Sequence, residues 1–392
     1  MHSEKIAADG KQLDFPIEEY RVRLDGVRAQ MRQRGFDALL SHTPENILYL
    51  TGYRTPGYYA YQCLLVRLED DPILLIRNGE IGSAHAYSWP GECATYFDGQ
   101  DAVEATVETL RAYAAGARRV GIEMNAWFLT AKNYEELRHR AKELEWPDAS
   151  GIVEACRARK SPREIEYIRQ AARTAEAGMR AAIEAIAPGK TDNDVAAALH
   201  EAMIRAGSEY AALGPFVATG GRSSIMHGIW GRNRIEPGDS IILEIGGVIN
   251  RYNAALMRGV SVGPPDRELE AMAAASEEAN RRLIENIKPG AYTADLHSLC
   301  MAELTRHGYG ATRKGRRCGY SIGLAFAPDW GEGHIISMID RPNLMLEPGM
   351  VFHLPLSVRI YGKRGVSFSE TVAVTETSHE VLTKFERKLF VR

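Results

Sequence analysis

Two stretches of this 392-residue chain are versions of one another, and that internal repeat limits the possible folds more than any other feature. "APGKTDNDVAAALHEAMIRAGS", starting at Ala187, matches "KPGAYTADLHSLCMAELTRHGY", starting at Lys288. Pro188 and Pro289, Gly189 and Gly290, Asp194 and Asp295, and Gly207 and Gly308 each lie 101 residues apart. Further on, "IEPGDSIILEIG" is echoed by "LEPGMVFHLPLS" at an offset of 111, which sets Glu244 against Pro355. A duplicated helix-and-strand unit predicts a pseudo-twofold domain whose site lies where the halves meet.

The repeat leaves the first third of the chain to a second domain, as expected for a length beyond one ordinary core. There, "IEEYRVRLDGVRAQMRQR" (17–34) reads as a helix stopped by Gly35. Short apolar runs follow: "DALLS", "NILYLTG" and "QCLLVRLEDDPILLIR", the last a hairpin around Asp70 and Asp71. Helical "DAVEATVETLRAYAAG" and the strand "RVGIE" complete an alternating pattern. The expectation is a mixed α/β (α+β) chain, with a small domain over 1–155 and the repeat domain over 156–392. The repeat domain opens with a helix in which Ser161 caps, Pro162 takes the first turn and Glu164 closes a capping box.

A net charge of −3 argues against a dedicated nucleic-acid binder, and the basic "RKGRR" at Arg313–Arg317 is too short and isolated to reverse that. No run is long enough to span a bilayer, and "MHSEKIAADGKQLDFP" has no apolar core of a secretory signal. The cysteines 63, 93, 156, 300 and 318 are odd in number and scattered, a pattern of reduced cytosolic thiols. A cytoplasmic enzyme is the expectation. Gly220-Gly221 and Gly246-Gly247 form no GxGxxG fingerprint and read as turn glycines.

The chemistry concentrates in "IILEIGGVINRYNAALMRGVSVG", two strands around a turn with one acid, Glu244, in an otherwise uncharged strand. A carboxylate in such a strand needs a cation, a proton or a partner. Arg251 and Arg258 are the neighbouring candidates for a purely structural ion pair.

With "RARKSPREIEYIRQA", the doubled "PG…D" helix starts, "EPGD", "GYSIGL" and "LEPGMVF", the repeat domain resembles the pita-bread family of methionine and Xaa-Pro aminopeptidases, prolidases and creatinase. "NILYLTGY" makes the first domain similar to the N-terminal domain of prolidase and creatinase. Metallopeptidases of the family hold two divalent ions on two Asp, one His and two Glu. The matching positions here are Glu244, Ala255, Tyr320, Pro355 and Ser369, so one of five keeps a carboxylate. The resemblance therefore implies a member without metal or other cofactor.

Two metal-free relatives of the fold, creatinase and ectoine hydrolase, remain hydrolases of small zwitterionic amidine-like solutes. The family's substrate-side His matches His227 in "GGRSSIMHGIW", on what reads as a loop entering a strand. A Glu that creatinase-type enzymes carry is Met257 here, and "LEIGG…NRY", "FHLPL" and "VSFSET" are more similar to the ectoine hydrolase branch. By that resemblance Glu244 holds an amidinium and attacks or activates water, and His227 moves the proton. Tyr320, His353, Tyr252 and Trp330 are candidates to bind substrate, with Glu370 beside a former ligand position. The loop "GYRTPGYYAYQ" offers Tyr59 as a lid or partner contact and Arg54 for a substrate carboxylate. The implied partners are ectoine or 5-hydroxyectoine and a second copy of the chain. A creatinase-like amidinohydrolase, a metallo Xaa-Pro dipeptidase and a non-catalytic binding module remain open rivals.

Overall fold

The computed structural model describes residues 1–6 and 10–392. Two compact units divide the chain, Met1–Arg157 and Ala158–Arg392.

Unit 1 is built on a six-stranded sheet of β1 (His2–Lys5), β2 (Ala38–Ser41), β3 (Cys63–Arg67), β4 (Ile73–Arg77), β5 (Glu92–Tyr96) and β6 (Val120–Ile122). Its order is β1-β5-β4-β3-β2-β6. The helices are α1 (Ile17–Arg34), α2 (Pro44–Thr51), α3 (Ile81–Tyr87), α4 (Ala102–Tyr113), α5 (Ala131–Arg140) and α6 (Ile152–Arg157). α1 stops at Gly35, whose left-handed backbone (φ 70°) ends the helix at the expected residue. One reading fails: "NILYLTG" is the helix α2, with Pro44 in its first turn and left-handed Gly52 after it. Seven of its eight residues are buried, so no polar stripe reveals the helical period.

Unit 2 repeats its architecture. Helices α7 (Pro162–Ala185) and α8 (Asp192–Arg205) precede β7 (Phe216–Thr219), β8 (Ser240–Ile249) and β9 (Tyr252–Ser261). Helices α9 (Arg267–Glu285) and α10 (Thr293–Arg306) precede β10 (Gly319–Ser321), β11 (Ser337–Met338), β12 (Val351–His353), β13 (Leu356–Ile360), β14 (Arg364–Phe368), β15 (Thr371–Val374) and β16 (His379–Val381). A last strand, β17 (Phe390–Val391), joins β9. The sheets run β17-β9-β8-β7 and β11-β10-β12-β15-β16, with β13-β14 a separate hairpin.

The sequence repeat is a repeat of hydrogen bonds. Gly189 N–H donates to the Ile235 carbonyl and Gly290 N–H to that of Leu346, both at 2.9 Å. Asp192 N–H donates to Asn233 and Thr293 N–H to Leu344, at 3.0 and 2.9 Å. The glycines of both Pro-Gly turns have φ 82°, a region that a side chain would disfavour. Each half has its own core, one centred on α7, α8, β8 and β9, the other on α9, α10 and β10–β15. They meet along β9, where Ser369 N–H donates to the Met257 carbonyl and Thr371 Oγ1 bonds both the N–H and the carbonyl of Ala255.

Gly246 and Gly247 are strand residues of β8, not turn residues. On one face, a Cβ at Gly246 would come 2.6 Å from the Trp330 ring. On the other, a Cβ at Gly247 would overlap the Ala171 carbonyl oxygen and the Thr174 hydroxyl of α7. The helix backbone thus packs directly on the strand that carries Glu244. Gly247→Ala is expected to force α7 off β8 and to destabilise unit 2 by about 2–3 kcal/mol or more; a thermal midpoint within 2 °C or so of wild type would show that the contact is slack.

Candidate active site

Glu244 sits mid-strand in β8, opposite Phe216 of β7 and Met257 of β9. Its alternating partners Leu243 and Ile245 turn into the α7–α8 core, so the Glu244 side chain takes the other face. It is 8% exposed, and among the described residues it makes no hydrogen bond or ion pair. Neither neighbouring arginine answers it. Arg251 binds the carbonyls of Tyr210 and Ala325 at 2.7 and 3.0 Å, and Arg258 pairs with Glu370 at 2.8 Å. Burial therefore dominates and pushes the Glu244 carboxyl up to about 7; Asp329 adds to the rise, while Arg359 opposes it.

Aromatic rings wall this carboxylate. Phe216 meets Trp330 edge to face at 5.9 Å and stacks on the His227 ring at 5.3 Å, with 22° between the planes. The same Phe216 is the cross-strand neighbour of Glu244, so one residue lies beside both candidate catalytic groups. His227 is exposed and lies in a turn with left-handed backbone (φ 58°). The chain does not enter a strand there; β8 begins only at Ser240. A short 3₁₀ turn, Gly220–Ser224, precedes His227, and Arg359 Nη1 holds its end by donating to the Ser223 and Ile225 carbonyls, both at 2.6 Å.

Two residues that the resemblance sets at metal positions, Tyr320 and Ser369, belong to one hydrogen-bonded chain. Trp330 Nε1–H donates to Tyr320 Oη at 2.9 Å, Tyr320 Oη lies 2.8 Å from His353 Nδ1, and His353 Nε2 lies 2.7 Å from Ser369 Oγ. Burial holds His353 neutral, its pKa pushed down to about 3, and drives the Tyr320 phenol well above its ordinary range. A neutral imidazole carries one N–H, so the chain has two self-consistent states. Either Tyr320 donates to His353, which donates to Ser369, or Ser369 donates to His353, which donates to Tyr320. The second state frees the Tyr320 O–H.

This set does not fit a dinuclear metal centre. Ala255 and Pro355 offer no side-chain donor, and Tyr320 and Ser369 are bound to His353. Among the described residues no group of three or more His, Cys, Asp or Glu is arranged to hold a metal ion.

The structure brings together Glu244, His227, Tyr320, Trp330 and, behind Tyr320, the fully buried His353. Two other candidates of unit 2 point away from it. Glu370 is turned away, consumed by Arg258, Arg387 at 3.0 Å and Thr383. Tyr252 lies on the opposite face of β9 from Met257 and donates to Glu164 Oε1 of α7 at 2.8 Å. Arg54 of unit 1 is already paired with Asp14 at 2.7 Å and stacked near Tyr87, while Tyr59 of that unit is 78% exposed. Sequence reading missed Phe216 and Arg359. Phe216 could be suspected from "GPFVATGG", a short strand leading into the His227 loop, but its register against Glu244 is a tertiary fact.

Residues 166–376 match the model of metallopeptidase family M24, and residues 23–159 that of the creatinase/prolidase N-terminal domain. The chain is 33% identical to an ectoine hydrolase of Halomonas elongata over 97% of its own length and 99% of the relative's. It is 31% identical to a Xaa-Pro dipeptidase of Pyrococcus furiosus, over 69% and 75%. Among solved structures, the prolidase of Pyrococcus horikoshii superposes with a TM-score of 0.82 at 26% identity, covering 94% of this chain and 99% of that one.

A carboxyl whose pKa is raised from 4.5 to about 7 on folding stabilises the native state most when protonated, and that contribution is lost as pH rises through 7. Glu244→Gln removes the penalty. The variant is expected to be more stable than wild type by on the order of 3 kcal/mol at pH 8.5 and by under about 1 kcal/mol at pH 5. A pH-independent difference in urea midpoint would contradict the raised pKa.

Proposed function

Because the chain belongs to metallopeptidase family M24, yet keeps a carboxylate at only one of the five positions that hold metal in its peptidases, we propose that it is a metal-independent hydrolase that opens the cyclic amidine of ectoine. The product is an N-acetyl-2,4-diaminobutyrate. The observation that carries this reading is Glu244: a buried carboxylate with no protein partner, walled by aromatic rings, in the place of a metal ligand. No cation of the described residues contacts this carboxylate, and an amidinium supplies one through two parallel charge-assisted hydrogen bonds. Aromatic faces suit a cationic, methyl-bearing ring. The full-length likeness to an ectoine hydrolase supports the same substrate class.

In this reading the Glu244 carboxylate lies against the amidinium carbon. It serves as nucleophile or as base for the attacking water, and both routes need its anionic form. Water adds across the carbon, the ring C–N bond breaks, and His227 delivers a proton to the departing ring nitrogen. Tyr320, positioned by Trp330 and His353, donates a hydrogen bond into the site when Ser369 supplies the proton to His353. The five free cysteines fit a reducing, cytoplasmic setting, and a homodimer is the expected assembly. Among the described residues no helix is long and apolar enough to cross a membrane.

The deciding experiment treats the protein with a chelator, verifies metal content, and follows ectoine by NMR. Ring-opened product at an unchanged rate, with no gain on adding Mn²⁺ or Co²⁺, is the expected result. Glu244→Gln should lose at least about 10³-fold in kcat while staying folded. Release of urea from guanidino solutes would favour a creatinase-like reaction instead, and metal-dependent cleavage of Xaa-Pro dipeptides would overturn the proposal.

The amidinium stays charged throughout the accessible range, so the acid limb of kcat/KM reports Glu244. It should fall tenfold per pH unit below about 7. An acid limb near 4.5 would show that the carboxylate is not the group buried here.

A further inference from the structure

Glu244 faces one positive charge that the sequence did not flag. Arg359 of β13 is the only cation whose charge acts on Glu244 among the causes of its shifted pKa, and Glu244 acts in turn on Arg359. Yet the two do not touch, since no N–O approach within 4.0 Å joins them. Geometry ties both to one site: Arg359 Nη1 is bonded to the Ile225 carbonyl, two residues before His227, whose ring stacks on Phe216, the cross-strand neighbour of Glu244.

The guanidinium is half committed. Nη1 is spent on the Ser223 and Ile225 carbonyls, which fixes its plane against the His227 loop. Its Nε and Nη2 make no hydrogen bond among the described residues, so one edge of the fork is open. Its surroundings are already short of compensation: burial pulls its pKa down to about 10, and Arg313 and Arg316 of the "RKGRR" loop push the same way. A second anion would relieve it. Arg317, the other cation of that loop near the site, is placed differently, lying 4.2 Å over the Tyr320 ring with Nη1 on Ser337 Oγ.

We propose that Arg359 is the carboxylate anchor of the site, its open guanidinium edge receiving the anionic end of a zwitterionic amidine whose cationic end rests on Glu244. The inference rests on the amidine reading above and adds to it the source of selectivity for a carboxylate-bearing ring. Because the same guanidinium holds the loop of His227, it fixes the carboxylate and the proton donor in one frame. The substrate dipole is thereby registered between two fixed charges.

The test compares ectoine with 2-methyl-1,4,5,6-tetrahydropyrimidine, the same ring without its carboxylate. Both kcat/KM and competitive inhibition constants are measured on wild type, Arg359→Met and Arg359→Lys. Wild type is expected to prefer the carboxylated ring by about 100-fold, and Arg359→Met to lose most of that preference through a raised KM for ectoine. Arg359→Lys keeps a cation able to reach the loop carbonyls but not the fork, and should lose about tenfold of the preference. This variant also guards against a Met variant that fails to fold. Equal losses on both rings would reduce Arg359 to a brace for the His227 loop and overturn the proposal while leaving the amidine reading intact. Failure of wild type to bind or open either ring would overturn that reading, and Arg359's assignment with it.

Discussion

A carboxylate buried without a partner is the constraint around which unit 2 is arranged. Burial alone disfavours the ionised form of Glu244, and the structure does little to repair this: it offers no donor, and the nearest guanidinium stays out of contact. Ordinary cores avoid such a group, because an unpaired buried charge costs several kcal/mol. Here the surrounding elements hold the arrangement in place. α7 packs backbone to backbone on β8 through Gly247, β9 supplies ten register pairs along β8, and Trp330 closes the opposite face over Gly246. The strand that bears the cost is among the best supported in the molecule.

On the proposed reading, replacing the metal ligands of the family alters the charge of the site as well as its side chains. A dinuclear site brings its own positive charge, so its carboxylates are neutralised before substrate arrives. If Ala255 and Pro355 stand at two of those positions, as the resemblance implies, no metal charge is supplied there and the remaining polar groups answer one another. Tyr320, His353 and Ser369 do this among themselves, with Trp330 as the terminal donor. Burial keeps the imidazole neutral, so the chain carries no net charge that would compete with Glu244 for a cation. The result is a polar wall that can pass a proton along its length without changing its charge.

Much of the fold was legible because it rests on local signals. Gly35 ended α1, Ser161 and Glu164 formed the capping box, and the 101- and 111-residue offsets reappear as paired hydrogen bonds at Gly189 and Gly290. The hairpin carrying Glu244 formed as expected, but its turn falls at Asn250 and Arg251, both left-handed, and not at the glycine pair. What was not legible depends on tertiary approach. The helix α2 is buried on nearly every side and shows no amphipathic period. Glycines Gly246 and Gly247 look like turn residues until a tryptophan and a helix are seen lying on them. Candidates such as Glu370 and Tyr252 had the right neighbours in sequence but the wrong strand face or a prior partner. Arg359 had no distinguishing signal at all: alternation in "LSVRIY" does not single it out, and only packing against the His227 loop selects it.

The free cleft and the occupied cleft must differ most in their electrostatics. Burial pushes the Glu244 carboxyl up to about 7 and the Arg359 guanidinium down to about 10, each only partly opposed by the charge of the other. On the amidine reading, one zwitterion answers both: the amidinium compensates the carboxylate and the substrate carboxylate compensates the guanidinium. Each ion pair then forms beside groups that burial already disfavours as free charges, where charge-assisted bonds are strong. The partners are supplied by substrate and not by the protein, so the interaction is absent from the free enzyme and contributes fully to recognition. A neutral analogue leaves both protein charges unanswered, and a simple cation leaves one. On that reading, selectivity for the dipolar ring follows from what the protein declines to pair within itself.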